Sequence, residues 1–559
     1  GGERMLYIVC ALLLSTACSS AFVHPTLPTR IPSTSSTRRS AMPLGLGMLD
    51  IESPTSFPRL PPTDMQGTER VRLAQILEKS TVFDLLGAQV TDAIQDIGLH
   101  LGRDVESAIV RLAKKNQQQD GAAGGAEGKP KKKLVVLGSG WGAHALVKIV
   151  DTDKFDVVAI SPRPYFIFTP MLAASSVGTV EYRSISEPMR ASNPFVDYLQ
   201  ASATSIDPDS KTIQCTTNQP TGSFEVPYDY LVVSVGVQSA TFGVPGVKEN
   251  CCFLKTVDDA IKLRSKLVAQ FEAASLPNLT DEERKDMLTF VVVGGGPTGV
   301  EFSGELFDFL RQDVRRYYPK LVSFVRTKLI QSGSTVLETF DKTMQAMALD
   351  ALKAEGSEVI LKARVEEVTD KTIRFSRAVG DERASEKFNY GLCVWAAGNA
   401  PLPISLDLIK RQGETAASKF GRIEVDPWQR MTGIGDGSIF AIGDCAASEQ
   451  AVLPQTAQVA GQQGAYVARL MNREADVPEE EVKAWGGYSS EIRSEIEKGV
   501  KEQDPVAMAL AQRKAPIVKP FEFLSLGILA YIGGNQALAQ VEMASSSDKE
   551  GTQKISFNR

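Results

Sequence analysis

From Lys133 to about Val541, short apolar runs alternate with stretches of helical spacing. Four of these runs end in glycine. Leu134-Val135-Val136-Leu137 precedes Gly138, and Tyr230-Leu231-Val232-Val233-Ser234-Val235 precedes Gly236. Phe290-Val291-Val292-Val293 precedes Gly294, and Leu392-Cys393-Val394-Trp395-Ala396-Ala397 precedes Gly398. A short apolar run bounded by a turn signal reads as a strand buried on both faces, the pattern of parallel sheets. Strands alternating with helices predict an α/β fold. Ahead of this block, residues 66–116 carry helical spacing (Val71, Leu73, Ile76, Leu77, then Val82, Leu85, Leu86) with mixed charge. They predict an amphipathic helical extension for packing or oligomerisation, which leaves a homodimer open. Residues 117–133 form a Gly/Ala-rich linker ending in a basic run. Residues 471–516 are polar and charged and read as a helical insertion, and residues 542–559 as a disordered tail.

Composition narrows the function. A chain of 559 residues exceeds one hydrophobic core, so two or three domains are expected. With 43% hydrophobic and 23% charged residues it has the make-up of a soluble globular enzyme. The net charge of −6 gives no reason to expect nucleic acid. Only His24, His100 and His144 occur, which argues against a His-based metal site or a Ser-His-Asp hydrolase. The seven cysteines form no CxxC or CxxxxC pair, so neither a zinc knuckle nor a redox-active dithiol is written here. Cys10 and Cys18 fall in a leader, and the others read as buried thiols. No metal is expected.

The N-terminus reads as a targeting segment. Residues 5–18 (MLYIVCALLLSTAC) are an apolar run behind Arg4, which predicts a signal peptide over 1–21. Residues 22–65 read as a transit-like segment. Between Phe22 and Leu49 there is no acidic residue, while Arg30, Arg38 and Arg39 stand among Ser, Thr and Pro. The combination resembles the bipartite plastid leaders of algae with secondary plastids; plain secretion and a mitochondrial presequence are the alternatives.

Two phosphate cradles carry the chemistry. The first apolar run leads into Gly138-Ser139-Gly140-Trp141-Gly142-Ala143 and then a helix. The first glycine permits a tight turn and the second lets the backbone approach a pyrophosphate. The small Ala143 lets helix and strand pack closely, with the helix N-terminus facing the phosphate charge. The second copy is Gly294-Gly295-Gly296-Pro297-Thr298-Gly299. One such turn is weak evidence; two, each flanked by strand and helix and about one domain apart, are strong. Further on, Ser438-Ile439-Phe440-Ala441-Ile442-Gly443-Asp444 brings a strand to a Gly-Asp turn whose carboxylate suits a polyol such as the ribitol of a flavin. The order of cradle, Gly236 strand, cradle, Gly398 strand and Asp444 turn predicts two Rossmann-like dinucleotide-binding domains, the second inserted in the first. The FAD domain is placed at 134–260 and 391–470, and the NAD(P)H domain at 261–390.

With these motifs the chain, from about Lys133 to Gln540, resembles the type II (alternative, non-proton-pumping) NAD(P)H:quinone oxidoreductases. Ser161-Pro162-Arg163-Pro164-Tyr165-Phe166-Ile167-Phe168-Thr169-Pro170-Met171-Leu172 is similar to their flavin-side loop, and Gly294–Glu301 to their GGGPTGVE loop. Ala457-Gln458-Val459-Ala460-Gly461-Gln462 is similar to their AQxAxQ helix, which in the family lines the flavin and quinone pocket. Within 517–541, Pro520-Phe521-Glu522-Phe523 and Leu529-Ala530-Tyr531-Ile532-Gly533 are similar to the closing motif. The resemblance implies FAD as cofactor, NADH or NADPH as substrate, hydride passage to the flavin and two electrons onward to a quinone. It also implies FAD contacts at Gly138, Gly140, Trp141, Gly142, Ala143, Ser161, Thr169, Gly236, Asp444, Ala457 and Gln458. The nicotinamide nucleotide falls to Gly294, Gly296, Thr298, Gly299, Glu301, Gln331 and Gly398.

Gln458 and Gln462 stand four apart, on one helical face, as neutral amides able to bond quinone carbonyls; a solvated face is the alternative. Glu301 is expected on the nicotinamide or quinone side, or else as a charge complementing the helix dipole. Gln331 ends the strand after the second cradle where NADH-preferring relatives carry Glu, so NADPH use is expected, with an amide-held diol as the alternative. Past the closing motif the chain turns polar where relatives form amphipathic helices, which leaves the apolar stretch Phe521–Ala530 as the expected peripheral membrane contact. Competing readings are a flavoprotein oxidase reducing oxygen or a protein carrier, and a regulatory flavoprotein similar to apoptosis-inducing factor.

Overall fold

The computed structural model describes residues 131–217, 222–379, 382–413, 416, 418, 421–448, 453–475, 521–525, 527–540 and 554–558. Every described residue belongs to the unit Asp96–Arg559. The leader, the helical extension, nearly all of the linker and the polar insertion beyond Ala475 lie outside the described residues.

In chain order, β1 (Lys132–Leu137) leads into α1 (Trp141–Ile149), followed by β2 (Phe155–Ser161), α2 (Leu172–Val177), β3 (Asp197–Gln200) and β4 (Tyr230–Val233). After α3 (Val257–Ala274) come β5 (Thr289–Val293), α4 (Pro297–Phe309), β6 (Arg326–Ile330), α5 (Lys342–Ala354), β7 (Glu358–Ile360) and β8 (Leu392–Trp395). Then follow β9 (Ile439–Ala441), α6 (Ala457–Glu474), β10 (Ile528–Gly533), β11 (Gln536–Gln540) and β12 (Lys554–Asn558).

Two parallel sheets result. The first has the order β9-β4-β1-β2-β3 and the second β7-β6-β5-β8. Their wiring repeats: the strand that feeds each cradle, β1 or β5, lies between its successor, β2 or β6, and the later Gly-ended strand, β4 or β8. Both faces of each sheet are covered, and Leu134, Val135, Val136, Val291, Leu329 and Cys393 are fully buried. Burial on both sides is the reason these strands carry no polar alternation. All five described cysteines are buried and free.

Immediately after β4 and β8 the chain forms one short antiparallel ribbon, Val237–Ser239 against Asn399–Pro401, which ties the two domains together. The domain border expected at residue 391 is therefore corrected. Leu392–Trp395 pairs with Phe290–Val293 and belongs to the second sheet. Cys252 also bridges to Val394, which brings the second domain's start forward of residue 261. An apolar run does not announce its sheet, because strand partners are non-local.

The tail expectation is corrected too. Lys554–Asn558 forms a strand that pairs with β11, completing an antiparallel β10-β11-β12 sheet. Its residues Lys554, Ser556 and Asn558 alternate with Ile555 and Phe557, a period-two pattern within a polar composition. Among the described residues no helix is long and apolar enough to cross a membrane.

Candidate functional site

The two cradles have matching stereochemistry. Gly138 has φ 121° and Gly294 has φ 114°, and a Cβ on either would collide with the loop after the neighbouring strand, 2.2 Å from Ser234 O and 2.7 Å from Ala396 O respectively. Only glycine fits such a turn. A Cβ on Gly140 or Gly296 would meet nothing within 4 Å, so the space before each helix is open. The helices α1 and α4 begin there with no side-chain cap and no acid in the first turn. Their first-turn N–H groups and positive dipole ends thus face open space, an arrangement that suits a phosphate. Ala143 is fully buried between helix and sheet, and Gly299 is pressed against Gly294, where a Cβ would stand 1.9 Å from its oxygen. Thr298 stands exposed in the first turn of α4.

On the first cradle the flavin-side loop folds back onto α1. The Trp141 indole N–H donates to Thr169 Oγ1 at 3.0 Å, and the indole packs edge-on against Phe166 at 5.0 Å. Ser161, ending β2, donates through Oγ to Ser139 Oγ at 3.0 Å. Gly236 and Gly398 share φ 69° at equivalent places in the two repeats.

The Gly-Asp turn arrives against α6. Gly443 N–H donates to Gln463 Oε1 at 2.7 Å, and Gln463 Nε2 donates to the buried Gln429 Oε1 at 2.7 Å. Burial pushes the Asp444 carboxyl upward, and Lys255 and Arg422 partly offset this. Lys255 is itself pushed down by burial, with Asp444 opposing, and its Nζ donates to Asn399 Oδ1 at 2.8 Å. Asn399 Nδ2 in turn reaches Gln455 Oε1 at 3.2 Å, and Gln455 Nε2 reaches Asp444 O at 3.0 Å. Sequence reading missed Lys255, Gln429 and Gln463. Isolated polar residues outside any motif give no signal until the fold gathers them.

Helix α6 lies close on α1: a Cβ on Gly464 would stand 2.1 Å from Gly142 O. It starts at Ala457 behind Thr456, whose Oγ1 accepts from Val459 N–H at 3.4 Å. Gln458 and Gln462 share one face, as the spacing predicts, and both amides engage the closing motif. Gln458 Nε2 donates to Gly527 O at 3.0 Å, and Gln462 Nε2 to Leu524 O at 2.9 Å. The motif then continues as β10 against α4 of the second domain, where a Cβ on Gly304 would stand 2.5 Å from Gly533 N. Phe521 N–H donates to Pro427 O at 2.8 Å, and its ring meets Tyr466 at 5.5 Å. Residues 521–525 and 527–533 therefore strap the first dinucleotide domain to the second.

The strap also sets Glu301. Burial pushes its carboxyl up to about 7, opposed by the Tyr531 backbone N–H and reinforced by Glu305. Three residues beyond Glu305, Asp308 accepts from the Tyr531 hydroxyl and pairs with Arg311. Glu301 thus lies against the strap, with its carboxyl raised by burial. On the nucleotide side, Gln331 Oε1 accepts from Gly295 N–H at 2.9 Å, which ties the end of β6 to the cradle. The exposed Phe242 ring covers Gly398, where a Cβ would stand 2.2 Å from its Cζ.

Comparison with known proteins agrees with this geometry. The family model described as pyridine nucleotide-disulphide oxidoreductase matches residues 132–464. External NADH-ubiquinone oxidoreductase 2, mitochondrial, of Saccharomyces cerevisiae is 38% identical over 428 residues, covering 76% of this chain and 75% of that protein. External alternative NAD(P)H-ubiquinone oxidoreductase B2, mitochondrial, of Arabidopsis thaliana is 42% identical over 341 residues, but the match spans only 57% of its length. The structure of NDH2 from Plasmodium falciparum in complex with NADH has a TM-score of 0.64 at 25% identity, covering 74% of this chain and 90% of that one. With a repeated cradle, a strap joining two nucleotide domains and these relatives, the chain belongs to the type II, alternative NAD(P)H:quinone oxidoreductase family within the pyridine nucleotide-disulphide oxidoreductases.

Proposed function

We propose that this protein is an FAD-dependent NAD(P)H:quinone oxidoreductase that works without proton pumping. The observation that carries the reading is the pairing of two open, glycine-built cradles across one interdomain ribbon and one strap. The first cradle, with Ser161, Thr169, Gly236 and the Asp444 turn, fits FAD: the space before Gly140 is open and a half-buried carboxyl stands on the Gly-Asp turn. When bound, the flavin supplies a two-electron relay between a nicotinamide and a quinone.

The chain's own residues orient and exclude. Gly294, Gly296, Thr298 and Gly299 seat the pyrophosphate of the nicotinamide nucleotide at the α4 N-terminus, with Gly398 at the rim. The ribbon and strap fix the distance between the two nucleotides, and such positioning is the protein's main contribution to hydride passage. Gln458 and Gln462 hold the strap as one wall of the quinone pocket, so their amides position that wall. Glu301, its carboxyl raised to about 7 by burial, can take up and give a proton near neutral pH, the property a proton donor to a quinone oxygen needs. Leu529, 62% exposed on β10, supports a peripheral membrane contact through the closing motif. The leader's composition supports organelle import, with a plastid first and the mitochondrial inner membrane as the alternative.

Anaerobic stopped-flow reduction by NADH and NADPH, followed by mixing with decyl-ubiquinone or with oxygen, tests this. Flavin bleaching followed by fast quinone-dependent reoxidation is expected. Bleaching with reoxidation by oxygen alone would replace the reading with an oxidase.

A further inference from the structure

The acid missing from the end of β6 is returned by the next turn. Gln331 occupies the position where a dinucleotide fold commonly carries an acid for the adenosine ribose diol. Its neutral side chain, read alone, favours a nucleotide with a 2′-phosphate. The structure sets a carboxylate beside it. Glu338 Oε1 lies 3.4 Å from Gln331 Nε2, and a Cβ on Gly333 would stand 1.8 Å from the same oxygen. Glu338 therefore folds directly over residues 331–333, the strand end where dinucleotide folds meet the adenosine ribose.

This placement is built by the backbone. Leu337 is fully buried yet has φ 52°, a left-handed conformation that a bulky residue rarely adopts. Its N–H donates to Gly295 O at 2.8 Å, inside the cradle. On the same turn, Val336 packs so closely that a Cβ on Gly295 would stand 2.9 Å from its Cγ1. The strained residue is held by the cradle itself, and the residue that follows it emerges at the ribose position. Glu338 is exposed, so its charge is free to face a ligand.

We propose that Glu338 is the specificity-determining residue of the nicotinamide-nucleotide site: it takes the ribose diol and repels a 2′-phosphate, so the protein prefers NADH. This rests on the proposed function and reverses the expectation drawn from Gln331 alone. Lys362, whose backbone N–H donates to Gly333 O at 2.9 Å, fastens the same strand end, and neutralising Glu338 removes the charge that repels the 2′-phosphate.

The test is anaerobic flavin reduction by NADH and by NADPH in the holoenzyme, which needs no quinone. The wild type is expected to favour NADH by roughly ten- to hundred-fold in apparent second-order rate constant, the range of a like-charge encounter. Glu338→Gln should bring the two nucleotides to near parity, chiefly by speeding NADPH. Gln331→Glu added to Glu338→Gln should restore the preference by moving the charge back to the strand end; a purely structural role would not be rescued this way. Equal rates in the wild type, or an unchanged ratio in Glu338→Gln, overturns the inference while leaving the quinone reductase intact. Failure of both nucleotides to bleach the flavin removes the proposed function and this inference together.

Discussion

Gln462 and Leu524 exchange two hydrogen bonds: Gln462 Nε2 donates to Leu524 O at 2.9 Å, and Leu524 N–H donates back to Gln462 Oε1 at 3.1 Å. One side-chain amide thus closes a ring with the backbone N–H and C=O of a single residue 62 positions away. This ring and the Gln458–Gly527 bond hold the strap on α6.

Gln462→Ala should free the strap. Two partly buried bonds are lost, a cost of about 1–3 kcal/mol with backbone groups left unpaired. Hydrogen exchange at Leu524 is expected to rise and the quinone KM to increase. The rate of flavin reduction by NADH should change less than the quinone step. Unchanged exchange at Leu524 would separate the amide from the strap.

Glu301 predicts a stability slope. Its folded carboxyl sits at about 7 against an ordinary 4.5, so the folded state holds a proton that the unfolded chain has released. That contribution is complete below the ordinary value and is lost as pH rises through about 7. Denaturation midpoints measured between these limits should fall with pH in the wild type, and Glu301→Gln should flatten the slope. Parallel curves for the two proteins would contradict the assignment.

Asp444 should govern flavin retention. Its half-buried carboxyl is positioned by a turn anchored on Gln463, and a charge-assisted bond to a ligand hydroxyl is worth about 1.5–3 kcal/mol. Asp444→Ala is expected to weaken FAD binding roughly ten-fold or more, read from the visible to ultraviolet absorbance ratio of purified protein. Full flavin content in that variant would assign the ribitol elsewhere.

Gly464→Ala tests the approach of α6 to α1. The added methyl would lie 2.1 Å from Gly142 O, a backbone atom that cannot rotate away. Overpacking of this kind costs roughly 1–3 kcal/mol, so the melting temperature should fall and flavin should be lost on gel filtration. A variant that melts with the wild type would show that the helices separate without penalty.

Local sequence was enough for the cradles. Gly138 and Gly294 need a left-handed turn, the apolar strands before them need two covered faces, and each helix that follows offers an uncapped N-terminus. These demands lie within a few residues of one another, so the α/β class, the two nucleotide domains and the helical face of Gln458 and Gln462 could be read in one dimension. The sheet membership of Leu392–Trp395, the strand at Lys554–Asn558, the strap across α6 and α4, and the carboxylate of Glu338 beside Gln331 could not. Each depends on a partner brought from elsewhere in the chain, and burial, pairing and charge are set by three-dimensional neighbours rather than by residue type.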